Sequence, residues 1–211
     1  MPIVTLHGQY GSGVTSIGKK LADSLGIDYV DRKIIAEVAQ RLQRGERIIE
    51  EKESLPGNTI ERIAQALSIS GMDYSLAYIP PEDLPVDDVH YLETLKSVIK
   101  GLAKNNSMVI HGRGSQFILR DEVKALHVLL VAPAEIRIQN IMNSQNLDAE
   151  AAIQEMNKFD SSFHGFIKRY FKAELEDPVF YDIILNTNYF KEDEIVNLVT
   201  EALRIKERGN I

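Results

Sequence analysis

The chain contains no cysteine, which excludes disulfides, thiolate nucleophiles and thiolate metal sites. That absence fits a cytoplasmic protein. No apolar run approaches the roughly 20 residues a membrane-spanning helix needs, and the first residues read as a β-strand, not as a signal peptide. Positive charge is scarce: 24 Lys and Arg against 31 Asp and Glu give a formal net charge of −7. A partner made of nucleic acid would need a basic surface, so it is disfavoured. A small phosphorylated ligand needs only a local basic pocket. Beyond these absences the composition is ordinary, with 44% hydrophobic and 26% charged residues in 211, enough for the core of a single α/β domain.

One more absence is a single residue wide. Gly8-Gln9-Tyr10-Gly11-Ser12-Gly13-Val14-Thr15 follows the apolar run Ile3-Val4-Thr5-Leu6 and leads into a helical pattern. It matches the phosphate-loop spacing G-x-x-x-x-G-K-[ST] at each fixed position except the lysine, where Val14 stands. Glycines permit the tight turn in which successive N–H groups and the positive end of the next helix converge on phosphate oxygens. Gly8, Tyr10, Gly11, Ser12, Gly13, Val14, Thr15 and Ser16 are therefore the candidate phosphate-binding residues. Thr15 or Ser16 would place a magnesium ion through its hydroxyl. The spacing leaves both open.

Short β runs alternate with amphipathic helical stretches, the pattern of a parallel sheet with crossover helices. Strands are expected at Ile3–His7, Asp28–Val30, Met108–His111, Leu126–Val131 and Asp182–Leu185. The helix after the loop carries Val14, Ile17, Leu21 and Leu25 on one face and stops at Gly26. Further helices are expected over Lys33 to Leu42, around Leu92, Leu95, Ile99 and Leu102, and from Ala134 to Ser144. A long helical stretch runs from Asp148 to about Lys172 with an interruption near Gly165. Ile195, Leu198, Ala202 and Ile205 mark a closing helix. Residues 45–90 lack this rhythm and are broken at Pro56-Gly57, Pro80-Pro81 and Pro85, so they read as a mostly helical insertion.

Gly112-Arg113-Gly114 ends the third strand, at the sheet edge where open α/β sheets bind ligands. An arginine between glycines suits bidentate contact with a phosphate; the alternative is a surface pair with Asp121 or Glu122. His7 and His111 each end a strand and precede a glycine. Packing and hydrogen bonding at the sheet edge is the expected role, with a metal pair or proton relay as the alternative. Phe163, Phe166, Tyr170 and Phe171 have helical spacing and read as core packing.

The loop, with Ile17, Leu21-Ala22, Leu25-Gly26-Ile27 and Asp31, resembles the cytidylate-kinase-like branch of the nucleoside monophosphate kinases. So do Gly112-Arg113-Gly114, Ile118-Leu119-Arg120-Asp121, Asp177-Pro178, Tyr181-Asp182 and Leu185-Asn186-Thr187. The likeness spans about Pro2 to Leu198 and is thin through 45–90. That branch commonly has the Y-G-S-G pattern without the lysine. The resemblance implies a P-loop kinase-like three-layer α/β sandwich: a single domain over 1–211 with a five-stranded parallel sheet, a substrate-side helical insertion at 45–90 and a helical lid at 148–176. It also implies ATP on the loop, magnesium, and a small phosphorylated acceptor near Asp31, Arg32, Lys33 and Arg113.

The chain departs from true cytidylate kinases at three places. Their D-S-G-x-x-Y-R segment becomes Asp31-Arg32-Lys33-Ile34-Ile35-Ala36-Glu37, their G-R-D becomes Gly112-Arg113-Gly114, and their lid D-S-S-R becomes Asp160-Ser161-Ser162-Phe163. Weak activity on CMP is the expectation. With Val14 and Phe163 supplying no charge, a kinase needs other cations: Arg113, and Lys168 and Arg169 from the lid, with Arg32, Lys33 and Arg137 further behind. Lys168 and Arg169 equally fit a solvated face beside Glu174 and Glu176. Asp160 would meet magnesium through water, or a ribose hydroxyl, or sit on a helix surface. The sequence thus reads as an ATP-dependent nucleoside monophosphate kinase-like phosphotransferase. Its alternative is a nucleotide- or anion-binding regulatory protein with weakened catalysis.

Overall fold

The computed structural model describes residues 2–43, 46, 49–50, 87–122 and 124–209. Most of the expected insertion at 45–90 lies outside the described residues. Five strands, β1 (Ile3–Gly8), β2 (Asp28–Val30), β3 (Met108–His111), β4 (Ala125–Val131) and β5 (Ile183–Asn186), form one sheet in the order β2-β3-β1-β4-β5. Every pairing is parallel. The helices are α1 (Val14–Leu25), α2 (Arg32–Leu42), α3 (Asp88–Asn105), α4 (Ser115–Ile118), α5 (Ala134–Gln145), α6 (Ala149–Phe171) and α7 (Glu192–Arg208).

Strand β1 is buried along its whole length, as a parallel strand covered on both faces must be. On one face Val4, Leu6, Leu126, Val128 and Leu130 pack against Ile17 and Leu21 of α1 and Ile195, Val199 and Leu203 of α7. On the other, Ile3, Ala125 and Ile110 meet α2, α3, α4 and α6 through Ile34, Leu95, Ile99, Ile118 and Phe166. The result is a three-layer α/β sandwich around five parallel strands. A smaller apolar cluster joins α5 to α6 through Ile141, Ala152 and Met156, and Tyr10 of the loop leans on it.

Helix ends follow local chemistry. Gly26 stops α1 in the left-handed conformation at φ +64, which glycine enters without a Cβ penalty. Asp148 caps α6 by accepting from the Ala151 N–H at 2.9 Å, satisfying a first-turn donor. Two sequence expectations are corrected. Helix α6 runs through Gly165 without interruption, because Phe166, Ile167 and Tyr170 are buried on the same core face and packing outweighs one glycine's propensity. In α7, Leu198 and Ile205 are exposed at 43% and 61%. The helix has two neighbouring apolar stripes, and the sheet takes the one carrying Ile195, Val199 and Leu203.

Candidate functional site

The loop between β1 and α1 turns at Gly11 and Gly13, both left-handed at φ +86 and +84. Gly13 is the N-cap of α1 and brings no side-chain cap, so the first-turn N–H groups of α1 have neither an intrahelical partner nor a capping side chain. Ser12 Oγ is buried with no hydrogen-bond partner among the described residues. A donor set of this kind, with an orphaned hydroxyl at its centre, fits phosphate oxygens. Val14 does not stand over the loop. Its side chain belongs to the core under α1, 2.7 Å from where a Cβ on Gly8 would lie, so only its backbone N–H serves the cradle.

The loop is held from outside. Gln9 donates its N–H to Leu130 O at 3.0 Å, accepts from Ala132 N–H at 3.1 Å and donates through Nε2 to Glu176 at 2.9 Å. Asn140 donates to Gly11 O at 2.9 Å. Tyr10 stacks on Phe159 with ring centroids 4.1 Å apart.

Arg113 lies beside the loop at the end of β3. Gly112, Arg113 and Gly114 all have positive φ, at +74, +52 and +67. For arginine this is a costly backbone state of the kind stored at binding sites. Its partner is not Asp121 or Glu122 but Asp31 at the end of β2, bound through Nη1. Two residues singled out separately for substrate binding are thus one ion pair. His111 Nδ1 stands 3.8 Å from Asp31 Oδ2 and 2.8 Å from the Tyr29 phenol oxygen. Arg32 and Lys33 open α2, and their side chains lie outside the described residues.

Among the described residues, Arg137 is a cation that bonds the loop directly. Its side chain is 8% exposed, donates to Tyr10 O at 3.3 Å and holds both oxygens of Asp160 at 2.8 to 3.1 Å. Asp160 also accepts from the Tyr10 N–H at 3.3 Å. Helix α6 therefore reaches the loop through Asp160 and Phe159. The expected lid cations sit elsewhere: Lys168 is exposed and pairs with Glu174 at 3.7 Å, and Arg169 is bound to Asp88 at the start of α3 at 2.7 and 2.8 Å. Arg137 stands one turn into the helix after β4, at the ligand-bearing sheet edge. That position was the available signal; the buried pairing that brings it to the loop is tertiary.

His7 and His111 are on neighbouring strands, Leu6 pairing in register with His111. His7 is buried edge-on to Phe163, ring centroids 5.5 Å apart. Among the described residues there is no group of three or more His, Cys, Asp or Glu that could hold a metal ion; His7 Nε2 is buried with no hydrogen-bond partner among them, while His111 bonds Tyr29. Burial, followed by the neighbouring His111 and His164, lowers the His7 pKa from 6.5 to about 3. Burial lowers those of His111 and His127 as well. Between the two His7 values, 6.5 and about 3, the unfolded chain binds more protons than the folded one, so stability falls as pH drops through that window. Urea unfolding at pH 7, 6 and 5 is expected to show stability falling with pH, the loss steepening below pH 6.5, where His7 of the unfolded chain is mostly protonated and that of the folded chain is not. His7→Leu should flatten this slope; an unchanged slope would assign the acid sensitivity elsewhere.

A family model for the cytidylate kinase-like family matches residues 3–189. The chain belongs to the cytidylate kinase-like family. A cytidylate kinase of Methanocaldococcus jannaschii is 20% identical over 208 residues, covering 95% of this chain and 97% of that protein. One of Methanopyrus kandleri is 24% identical over 210 residues, covering 95% and 92%. In fold, the chain is similar to an uncharacterized protein from Eubacterium ventriosum, with TM-score 0.68 at 17% identity and coverage of 97% and 99%. It is also similar to a gluconokinase from Sinorhizobium meliloti, with TM-score 0.50 at 13% identity and coverage of 98% and 94%. The fold is that of a P-loop kinase.

Within the family, two departures acquire physical reasons. Where the resemblance to cytidylate kinases would place the carboxylate of G-R-D, Gly114 stands, and a Cβ there would lie 2.2 Å from Phe171 Cε2, so any side chain must displace that ring. Phe163 replaces the lid arginine and packs against buried, neutral His7, where a charged side chain would be desolvated at a cost.

Proposed function

We propose that the protein is an ATP-dependent nucleoside monophosphate kinase-like phosphotransferase whose small phosphorylated acceptor is not CMP. The observation that carries the reading is the uncapped glycine cradle at the start of α1, with Arg113 across from it at the end of β3. In this reading the N–H groups from Gly11 to Ser16 hold the ATP phosphates, and Thr15 or Ser16 holds magnesium. When bound, that ion supplies charge neutralisation at the transferred oxygens. Arg137 orders the loop from its outer side and Arg113 receives the acceptor phosphate. Asp31 holds the guanidinium of Arg113 in place. Helix α6 closes over the loop as a lid, with Asp160 as its point of attachment.

A second reading is supported by the pairing of both arginines with carboxylates, Arg113 with Asp31 and Arg137 with Asp160. A site whose cations are already neutralised suits a binder that no longer transfers phosphate. ATP turnover measured across a panel of nucleoside monophosphates separates the two. Turnover with at least one acceptor, CMP being among the poorest, is the expected result. Tight ATP binding with no turnover on any acceptor favours the binder. A strong preference for CMP overturns the acceptor assignment.

A further inference from the structure

Strand β5 closes the sheet on the side away from β2, and among the described residues no strand lies beyond it. Its inner side is tied to β4, Asp182 N–H donating to His127 O and Thr187 N–H to Val131 O, both at 2.8 Å. Its outer side leaves a row of backbone groups with no strand to meet, a template for another chain. Ile183-Ile184-Leu185-Asn186 carries no charge and no proline, the usual guards of such an edge. Both faces beside it are apolar. Leu185 packs toward α7, so Ile184 faces the opposite side of the sheet, where it is 41% exposed. On the α7 side, Leu198, Ala202 and Ile205 recur at i, i+4 and i+7 along one stripe, and Leu198 and Ile205 are the exposed pair that the sheet left uncovered. Helix α7 turns Glu192 and Asp193 to Lys20 of α1, so the opposite flank, with Leu198 and Ile205, looks out past β5.

One dyad serves both the strand and the helix. Lys206 reaches Asp182, just before β5, at 2.6 Å, so these two residues stand at one level of the antiparallel β5–α7 unit. The middle of β5 lies about 8 Å further along the strand. That distance is about five or six residues back along α7, and Leu198 and Ile205 flank the level it reaches. We propose that β5 and the outer flank of α7 form the interface of a homodimer, β5 pairing antiparallel with β5 of a second copy about this dyad. The two-fold operation sets Leu198 against the partner's Ile205, and Ile184 beside the partner's Ile184. The charges fit the same register. Helix α7 begins with Glu192, Asp193 and Glu194 and ends with Lys206 and Arg208, so antiparallel copies bring the acidic start of each to the basic end of the other, exposed Glu194 beside the partner's Arg208. Glu201 near the dyad is held by Arg204 at 3.4 Å, so two ion pairs meet there and not two bare carboxylates. A second copy of this chain is the partner for which strand edge, apolar stripe and charge agree. The two phosphate loops, at the C-terminal ends of the strands, point to opposite ends of the pair and stay open.

The test is sedimentation equilibrium of the full, untagged chain from about 1 to 100 µM, which spans the weak end of specific interfaces. The expected result is a monomer–dimer equilibrium within that range. Ile184→Lys, which puts a charge on the edge, and Ile205→Glu should each raise the dissociation constant about tenfold or more. Arg208→Glu and Glu194→Arg should each weaken the dimer too, because symmetry repeats every like-charge contact. Mixing equal amounts of these last two variants should restore it, since only the mixed pair has opposite charges at both contacts. Glu194 also accepts the Lys191 N–H at 2.7 Å, so a circular-dichroism melt confirms that each variant is folded. A chain that stays monomeric throughout the range overturns the inference. A dimer indifferent to Ile184→Lys and Ile205→Glu does the same, as does a pair of charge variants that mixing does not rescue. None of these residues belongs to the proposed phosphate or acceptor site, so each outcome leaves the phosphotransferase reading as it stands.

Discussion

Gly11→Ala is expected to abolish ATP binding at concentrations that saturate the parent protein. Gly11 has φ +86, and a Cβ there would lie 2.6 Å from the Arg137 carbonyl oxygen and 3.0 Å from Arg137 Cβ. The left-handed state alone costs an alanine about 1 to 2 kcal/mol. The clash adds to this, because its near partner is backbone that moves only if α5 moves. Relief of the clash pulls the loop from α5 and loosens the Asn140 contact to Gly11 O at 2.9 Å and the Arg137 contact to Tyr10 O at 3.3 Å. A cradle whose N–H groups no longer converge loses its pre-organised field. Calorimetric titration with ATP should show a loss of about 100-fold or more, equivalent to about 3 kcal/mol, alongside a melting temperature lowered by several degrees. Affinity within a few-fold of the parent would show that the loop does not carry the phosphates.

Arg113→Ala is expected to lower turnover by about 10³-fold, the scale seen when a phosphoryl-transfer site loses an arginine, while ATP affinity changes little. The backbone of Gly112-Arg113-Gly114 is wound left-handed for three successive residues, and Asp31 fixes the side chain at its end. An arginine built at this conformational cost acts where charge develops, so its removal should appear in kcat more than in nucleotide binding. Arg113→Lys keeps the charge but loses the planar fork and should recover only part of the rate. Steady-state kinetics on the acceptor found in the panel assay gives the measurement. Unchanged turnover in an active protein would remove Arg113 from the catalytic charge.

Much of this was legible in the chain because local rules carry it. The glycine spacing from Gly8 to Gly13, the apolar faces of α1 and α3, the Asp148 cap and the β-rich runs of Val, Ile and Leu each depend on neighbours within a few residues. They were sufficient for five parallel strands and a glycine-rich loop after the first. Where local signals competed, they misled. Gly165 suggested a break that the buried Phe166, Ile167 and Tyr170 override, and α7 offered two stripes of which the sheet could bury one.

The partners of the charges lie beyond the reach of the sequence. Arg113 and Asp31 are 82 positions apart, Arg137 and Asp160 are 23 apart, and Arg169 and Asp88 are 81 apart. Ion pairs of this kind are chosen by which strand and helix ends the sheet order brings together, and many carboxylates compete in a chain with 31 of them. The same holds for absences that looked like losses. Gly114 and Phe163 stand where the resemblance would place charge, and only the structure shows what fills the space there: the Phe171 ring at Gly114 and His7 against Phe163. The sequence by itself determined the fold and the glycine-rich loop after the first strand, because both are written in short-range backbone and hydrophobic patterns. The tertiary structure decided which carboxylate each of these cations meets, because electrostatic partnership depends on distance through space and not along the chain.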